Sequence, residues 1–178
     1  AILLASVLMV LYVAFRFKKI SGLSAGVMAL VALIHDVIMV YFTFIIFRIP
    51  LNDNFIAVVL MILGYSLNDT IVIYDRIREN RKLLGPKVDN KTLVNDSINQ
   101  TLNRTINTSI STVIAIATVL VVAIIYKLPS VVSFALPMVV GIISGCYSTI
   151  CIAGPLWVMW QDHKLNKSNS VKNNNVTE

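Results

Sequence analysis

Charge is what this sequence has least of. Only 13% of its 178 residues are Asp, Glu, Lys or Arg, against roughly 25% in a soluble globular domain. By contrast, 57% are hydrophobic and the mean hydropathy is +0.79. A water-soluble fold is excluded, and the chain is a membrane protein. Cysteine and histidine are nearly as scarce. Cys146 and Cys151 share one apolar run, which excludes a disulfide framework or thiolate cluster and leaves two small buried hydrophobes. His35 and His163 are too few and too separated for a zinc site, so no metal and no cofactor is expected. There is no glycine-rich phosphate loop, nucleophile elbow or zinc-protease motif, and no loop could hold a soluble catalytic domain. The chain is not read as an enzyme, and no residue is read as catalytic.

What is present is a series of long apolar runs, which predicts an all-α, polytopic membrane helical bundle over residues 1–160. The expected spans are 1–15, 23–47, 55–74, 105–126 and 131–160. The first falls short of the roughly 20 residues a span requires and has neither a charged leader nor a cleavage motif. It reads as the remainder of a span, and the sequence as a fragment. Residues 75–104 form a polar loop between the third and fourth spans. Its first part continues as a charged helix to Leu84, where Gly85-Pro86 stops it. From Lys91 onward, Val94, Ile98 and Leu102 recur every four residues, predicting an amphipathic helix with an apolar face for the membrane surface. Pro137 and Pro155 predict a tilt or kink in the fifth span. Residues 161–178, rich in Asn, Lys and Ser, read as a disordered tail.

The net charge of +6 does not point to nucleic acid, because the basic residues are sorted by side. Arg16, Lys18 and Lys19, seven more from Arg76 to Arg104, and Lys164, Lys167 and Lys172 put thirteen of fifteen on one side of the membrane. Only Arg48 and Lys127 fall on the other. The positive-inside rule makes the first side cytoplasmic, with the loop 75–104 and the C-terminus there, and puts Trp157 and Trp160 at the inner interface.

Against this background, polar residues inside spans stand out. Asp36, beside His35, lies near the middle of the second span. Two readings stand: a group that takes and releases protons, or a protonated carboxyl in an interhelical hydrogen bond. Asp69 lies about 9 Å of helix inside the apolar part of the third span, where a charge costs roughly 2.5 to 3.5 kcal/mol. Tyr65 and Ser66 are spaced to stand on its face, Asn68 adjoins it, and Thr70 is placed to bond back to the Ser66 carbonyl. Gly64 is expected to let a second helix approach. In the fourth span Arg104, Asn107, Thr108, Ser111, Ala115 and Thr118 make one polar and small stripe. A pair of Asp69 with Arg104, made and broken, would change how readily Asp69 holds a proton. The plainer reading of Arg104 is an inside-positive anchor. Gly141 and Gly145, with Ser144, Ser148 and Cys151 on a related face, suggest close helix packing.

The stretch Gly64-Tyr65-Ser66-Leu67-Asn68-Asp69-Thr70-Ile71-Val72-Ile73-Tyr74-Asp75-Arg76-Ile77-Arg78-Glu79-Asn80 resembles the signature of the SecF family of bacterial protein-export membrane proteins. Leu102-Asn103-Arg104-Thr105-Ile106-Asn107-Thr108-Ser109 resembles that family's second signature, and His35-Asp36 looks like a third. The resemblance implies the fold of the resistance-nodulation-division transporters, with spans two to six present here and an extracytoplasmic domain absent. It implies the inner membrane, SecD and the SecYEG channel as partners, exported polypeptide as substrate, and the proton gradient as driving force. The family's proton pathway maps onto Asp69 and Arg104, with His35 and Asp36 carried over beside them. Expected is a Sec subunit coupling proton flow to late translocation across the membrane. The alternatives are a proton-coupled small-molecule exporter of the same superfamily and a purely structural membrane subunit.

Overall fold

The computed structural model describes residues 22–85 and 88–174, with side chains over 24–85 and 88–164, and six separate positions before them. The apolar run 1–15 otherwise lies outside the described residues. Within them all regular structure is helical: α1 Gly22–Ile46, α2 Asp53–Leu84, α3 Asn90–Ile125, α4 Pro129–Ser148, a π turn Thr149–Ala153, and α5 Gly154–Asn174. Four helical stretches are long and apolar enough to cross a membrane, the last running unbroken from α4 through the π turn into α5. The all-α polytopic bundle expected from the sequence is the architecture found. The helix expected from Lys91 is continuous with the span that follows. Its apolar side packs on the protein rather than on a membrane surface: Leu93 and Val94 are buried beside Trp157 and Val158 of α5.

Local chemistry sets the helix ends. Asn52 caps α2 by accepting a hydrogen bond from the Asn54 N–H at 3.1 Å, and Asp53 adds a negative charge to the first turn. Arg81 and Lys82 complement the other end, and Gly85, at φ 79, turns the chain away. α1 and α3 close differently. Arg48 and Lys127 stand in the left-handed region at φ 52 and 53, where a side chain costs roughly 1 kcal/mol or more. Pro155 has no N–H to continue an α-helical ladder and would crowd the carbonyl four residues back. The π turn just before it, Thr149–Ala153, widens the helix and accommodates this. The helix continues to Asn174, past Gln161 where a disordered tail was expected to begin. Two bonds tie its start to the bundle, from Gln161 Nε2 to Ser24 Oγ at 2.9 Å and from Asn90 Nδ2 to Asp162 Oδ1 at 3.2 Å.

α4 is the central element, touching α1, α2 and α3. Two apolar clusters result. One gathers Met28, Ile73, Tyr74, Ile77, Leu93 and Trp157, and the other Leu33, Val40, Phe44, Val59, Ile62 and Ile142. Lipid tails are as apolar as these side chains, so the gain on association is close packing rather than escape from water. Buried polar side chains gather where the two clusters meet: Asp36 on α1; Ser66, Asp69 and Thr70 on α2; Ser144 and Ser148 on α4; and Thr149 in the π turn, beside the buried Ala32, Gly145 and Ala153. A polar layer is thus clamped between two apolar ones.

Candidate functional site

The polar layer is built around Asp36, which is fully buried. Three hydroxyls from two other helices donate to its carboxylate. Ser66 Oγ and Ser148 Oγ reach Oδ2 at 2.7 and 2.8 Å, and Ser144 Oγ reaches Oδ1 at 2.9 Å. His35, one-third exposed, places Nδ1 3.2 Å from Oδ1 and its ring 6.1 Å from that of Tyr147. Close backbone approach makes this possible. A Cβ on Gly145 would lie 3.3 Å from Ser66 Cβ and 3.7 Å from Asp36 Oδ2. At Gly141 it would meet Ile62 at 2.7 Å and Val40 at 3.0 Å, so α4 seats directly on α1 and α2. Gly64 does not act in this way. It is exposed and a Cβ there would meet nothing within 4 Å, because it points off the face that α2 turns to its neighbours.

Asp69 is also buried, 4% exposed, but its surroundings are the reverse of those of Asp36. Its Oδ2 accepts no hydrogen bond from any described residue. The side chains expected on its face are used elsewhere. Ser66 serves Asp36, Tyr65 Oη donates to Ser109 Oγ at 3.2 Å, and Asn68 is exposed. Thr70 Oγ1 bonds back to the Ser66 carbonyl at 3.0 Å and lies 3.2 Å from Thr149 Oγ1 at the start of the π turn. Arg104 acts on Asp69 electrostatically, yet among the described residues no ion pair within 4.0 Å joins them. The direct Asp69–Arg104 pair expected from the sequence is not formed in this structure.

The stripe on α3 faces outward. Arg104, Asn107, Thr108, Ser111, Ala115 and Thr118 are all exposed. Along the stretch from 104 to 118 the buried polar positions are Thr105 and Ser109. Each lies one residue, about 100° of helix rotation, from a member of the stripe. α3 therefore turns its Thr105–Ser109 side to α2 and its polar stripe outward. Nearer the basic end, Asn80 is buried and donates to Ser97 Oγ and Gln100 Oε1, each at 2.9 Å, joining α2 to α3. Arg76 adds a 2.6 Å bond to Gln100 Oε1 and an ion pair with Glu79.

Sequence reasoning named Ser144 and Ser148 only as small packing residues. Their four-residue spacing, level with a buried carboxylate, was the available signal for a role as its donors.

The geometry defines a membrane-embedded helix bundle with two buried carboxylates, one fully bonded and one left open. The chain belongs to the family described as protein export membrane protein SecD/SecF, C-terminal, whose model matches residues 1–163. It is 38% identical over 173 residues to the protein translocase subunit SecF of Alicyclobacillus acidocaldarius, covering 94% of this chain and 53% of that protein. It is 36% identical to the SecDF subunit of Bacillus subtilis, covering 96% of this chain and 22% of that one. The crystal structure of SecDF from Thermus thermophilus, described as a translocon-associated membrane protein, superposes with a TM-score of 0.77 at 40% identity. That match covers 86% of this chain and 20% of the other. The chain thus spans about half the length of the SecF relative and about a fifth of the fused SecDF proteins.

Proposed function

We propose that this chain is the membrane part of a Sec protein-export subunit that couples proton flow to a late stage of polypeptide translocation. The observation that carries the proposal is Asp69: a buried carboxylate whose Oδ2 accepts no hydrogen bond within the described chain. Proteins satisfy buried polar groups, and one left open in a membrane span is a mark of function. In this reading Asp69 is the proton carrier, and Arg104, close enough to act on it, controls its charge by moving nearer or away. Asn107, Thr108 and Ser111 extend the polar path along α3. The relatives in which SecD and SecF are one polypeptide support SecD as the partner whose helices cover this outward stripe. SecYEG and the exported chain follow as further partners. Orientation follows the basic residues, with the α2–α3 turn and the C-terminus cytoplasmic and the bundle in the inner membrane. Asp36, held by three hydroxyls from α2 and α4, acts in this reading as an interhelical clasp. His35 stands at its rim and Asp36 keeps α1, α2 and α4 in register around Asp69.

Export by the full-length protein with its partners, with the membrane potential intact, tests the proposal. Asp69→Asn and Arg104→Leu are expected to assemble normally and to lose gradient-dependent export. If both assemble and export at the wild-type, gradient-dependent rate, the relay reading fails. If Asp69→Asn instead lowers recovery of the complex first, the residue is structural glue. Loss of resistance to hydrophobic compounds on deletion, with export unaffected, would move the chain to the small-molecule exporters.

A further inference from the structure

The order aromatic, basic, aliphatic, proline occurs twice, as Phe47-Arg48-Ile49-Pro50 and Tyr126-Lys127-Leu128-Pro129. Each copy closes a helix with the same pair of backbone bonds. Arg48 N–H donates to Ile45 O and Ile49 N–H to Phe44 O, at 3.1 and 2.9 Å. Lys127 N–H donates to Ile124 O and Leu128 N–H to Ala123 O, at 3.2 and 2.8 Å. This cap is normally made with glycine at the left-handed position, yet both copies place a cation there, at φ 52 and 53. The helix dipole favours a cation at a C-terminus, which accounts for either copy singly. It does not account for their meeting. Both turns open onto one groove of about 420 Å³, whose walls include Arg48 and Lys127 with Ile49, Ala123, Leu128 and Val132. Both cations are exposed, and among the described residues no ion pair joins either to an acid. Beside them Phe47 and Tyr126 are 56% and 72% exposed, as aromatic side chains are at a bilayer interface.

We propose that this groove binds an anionic phospholipid, its phosphate between Arg48 and Lys127 and an acyl chain along Ile49, Ala123, Leu128 and Val132. Two uncompensated cations exceed the charge that a zwitterionic headgroup offers, which selects lipids of net negative charge such as phosphatidylglycerol. Free phosphate would neutralise the cations and leave the apolar walls uncovered, whereas an amphiphile at a bilayer interface covers both. The groove lies at the end of the bundle away from the Arg76–Arg104 basic cluster. Only the choice of leaflet, the outer one, rests on the orientation proposed above.

Native mass spectrometry of the full-length protein, released from micelles holding phosphatidylglycerol and phosphatidylcholine, tests this. The double variant Arg48→Gly, Lys127→Gly removes both charges while keeping turns that glycine adopts without strain. Wild type is expected to retain phosphatidylglycerol in preference. The double variant is expected to bind it roughly tenfold or more weakly, with phosphatidylcholine unchanged, and Arg48→Lys to keep the preference. An unchanged preference in the double variant overturns the proposal, as does an equal loss of both lipids. Displacement of the lipid by inorganic phosphate would make this a free-anion site. Unchanged lipid with loss of a co-purifying subunit would assign the groove to an acidic side chain of a partner.

Discussion

Replacing Asp36 by Leu removes the acceptor that three helices share, and the structure sets the size of the loss. Interhelical hydrogen bonds in membrane proteins average roughly 0.6 kcal/mol, so three of them sum to about 2 kcal/mol. Bonds to a charged group are worth roughly 1.5 to 3 kcal/mol each, which would bring three to about 4.5 to 9 kcal/mol. A measured loss of about 2 kcal/mol or more is therefore expected. The three hydroxyls also differ. Ser148 Oγ has a second acceptor, the Gly145 carbonyl at 3.2 Å, whereas no other acceptor is recorded for Ser66 Oγ or Ser144 Oγ. In double-mutant cycles with Asp36→Leu, coupling should be larger for Ser144→Ala and Ser66→Ala than for Ser148→Ala. The assay is equilibrium unfolding of the purified full-length protein in mixed micelles. A loss below about 0.5 kcal/mol, or equal coupling at all three serines, would show that these hydroxyls do not hold Asp36.

Other substitutions test the packing around the site. Gly141→Ala drives a methyl into Ile62 at 2.7 Å and Val40 at 3.0 Å and should cost about 1 to 3 kcal/mol in the same unfolding assay. Ile62→Ala in the same chain should recover part of it, and no recovery would place the strain elsewhere. Asn80→Leu removes two interhelical bonds, while Ser97 Oγ keeps its bond to the Leu93 carbonyl and Gln100 Oε1 its bond from Arg76, and should destabilise the α2–α3 hairpin by about 1 to 3 kcal/mol, visible as faster amide exchange over 77–100. Asp69→Asn, in contrast to Asp36→Leu, should leave stability within about 0.5 kcal/mol of wild type, since it removes no recorded bond within the chain.

The fold class was legible because lipid imposes a simple rule: long apolar runs with few charges become spanning helices. Length and hydropathy could not show rotation about the helix axis, and that is where the site reading departed from the structure. Ser66 stands three residues before Asp69 and four before Thr70, so spacing alone offered it to Asp69. Packing of α4 against α1 and α2 gave its hydroxyl to Asp36 instead. The stripe from Arg104 to Thr118 was correctly seen as one face, but a turn of about 100° decided whether that face looked inward or outward. Gly64 shows the same limit: a small residue permits close approach, and only the neighbouring helices decide whether approach occurs. What sequence did indicate was the depth of Asp36 and Asp69 in their spans, because depth is a sum of residue rises and needs no partner.

The π turn at Thr149–Ala153 acts on all that follows it. One extra residue in a turn offsets the faces before and after it by about 100° relative to an uninterrupted α-helix. Upstream, α4 aims Ser144 and Ser148 at Asp36; downstream, α5 aims Trp157 at Leu93, Tyr74 and Ile77 in the other apolar cluster. The turn is thus a phase shifter. It lets one continuous helix keep an appointment with two layers whose partners stand at different compass bearings. Any motion that slid the extra residue along the helix would turn only the residues it passed over, by about 100°, without breaking the span.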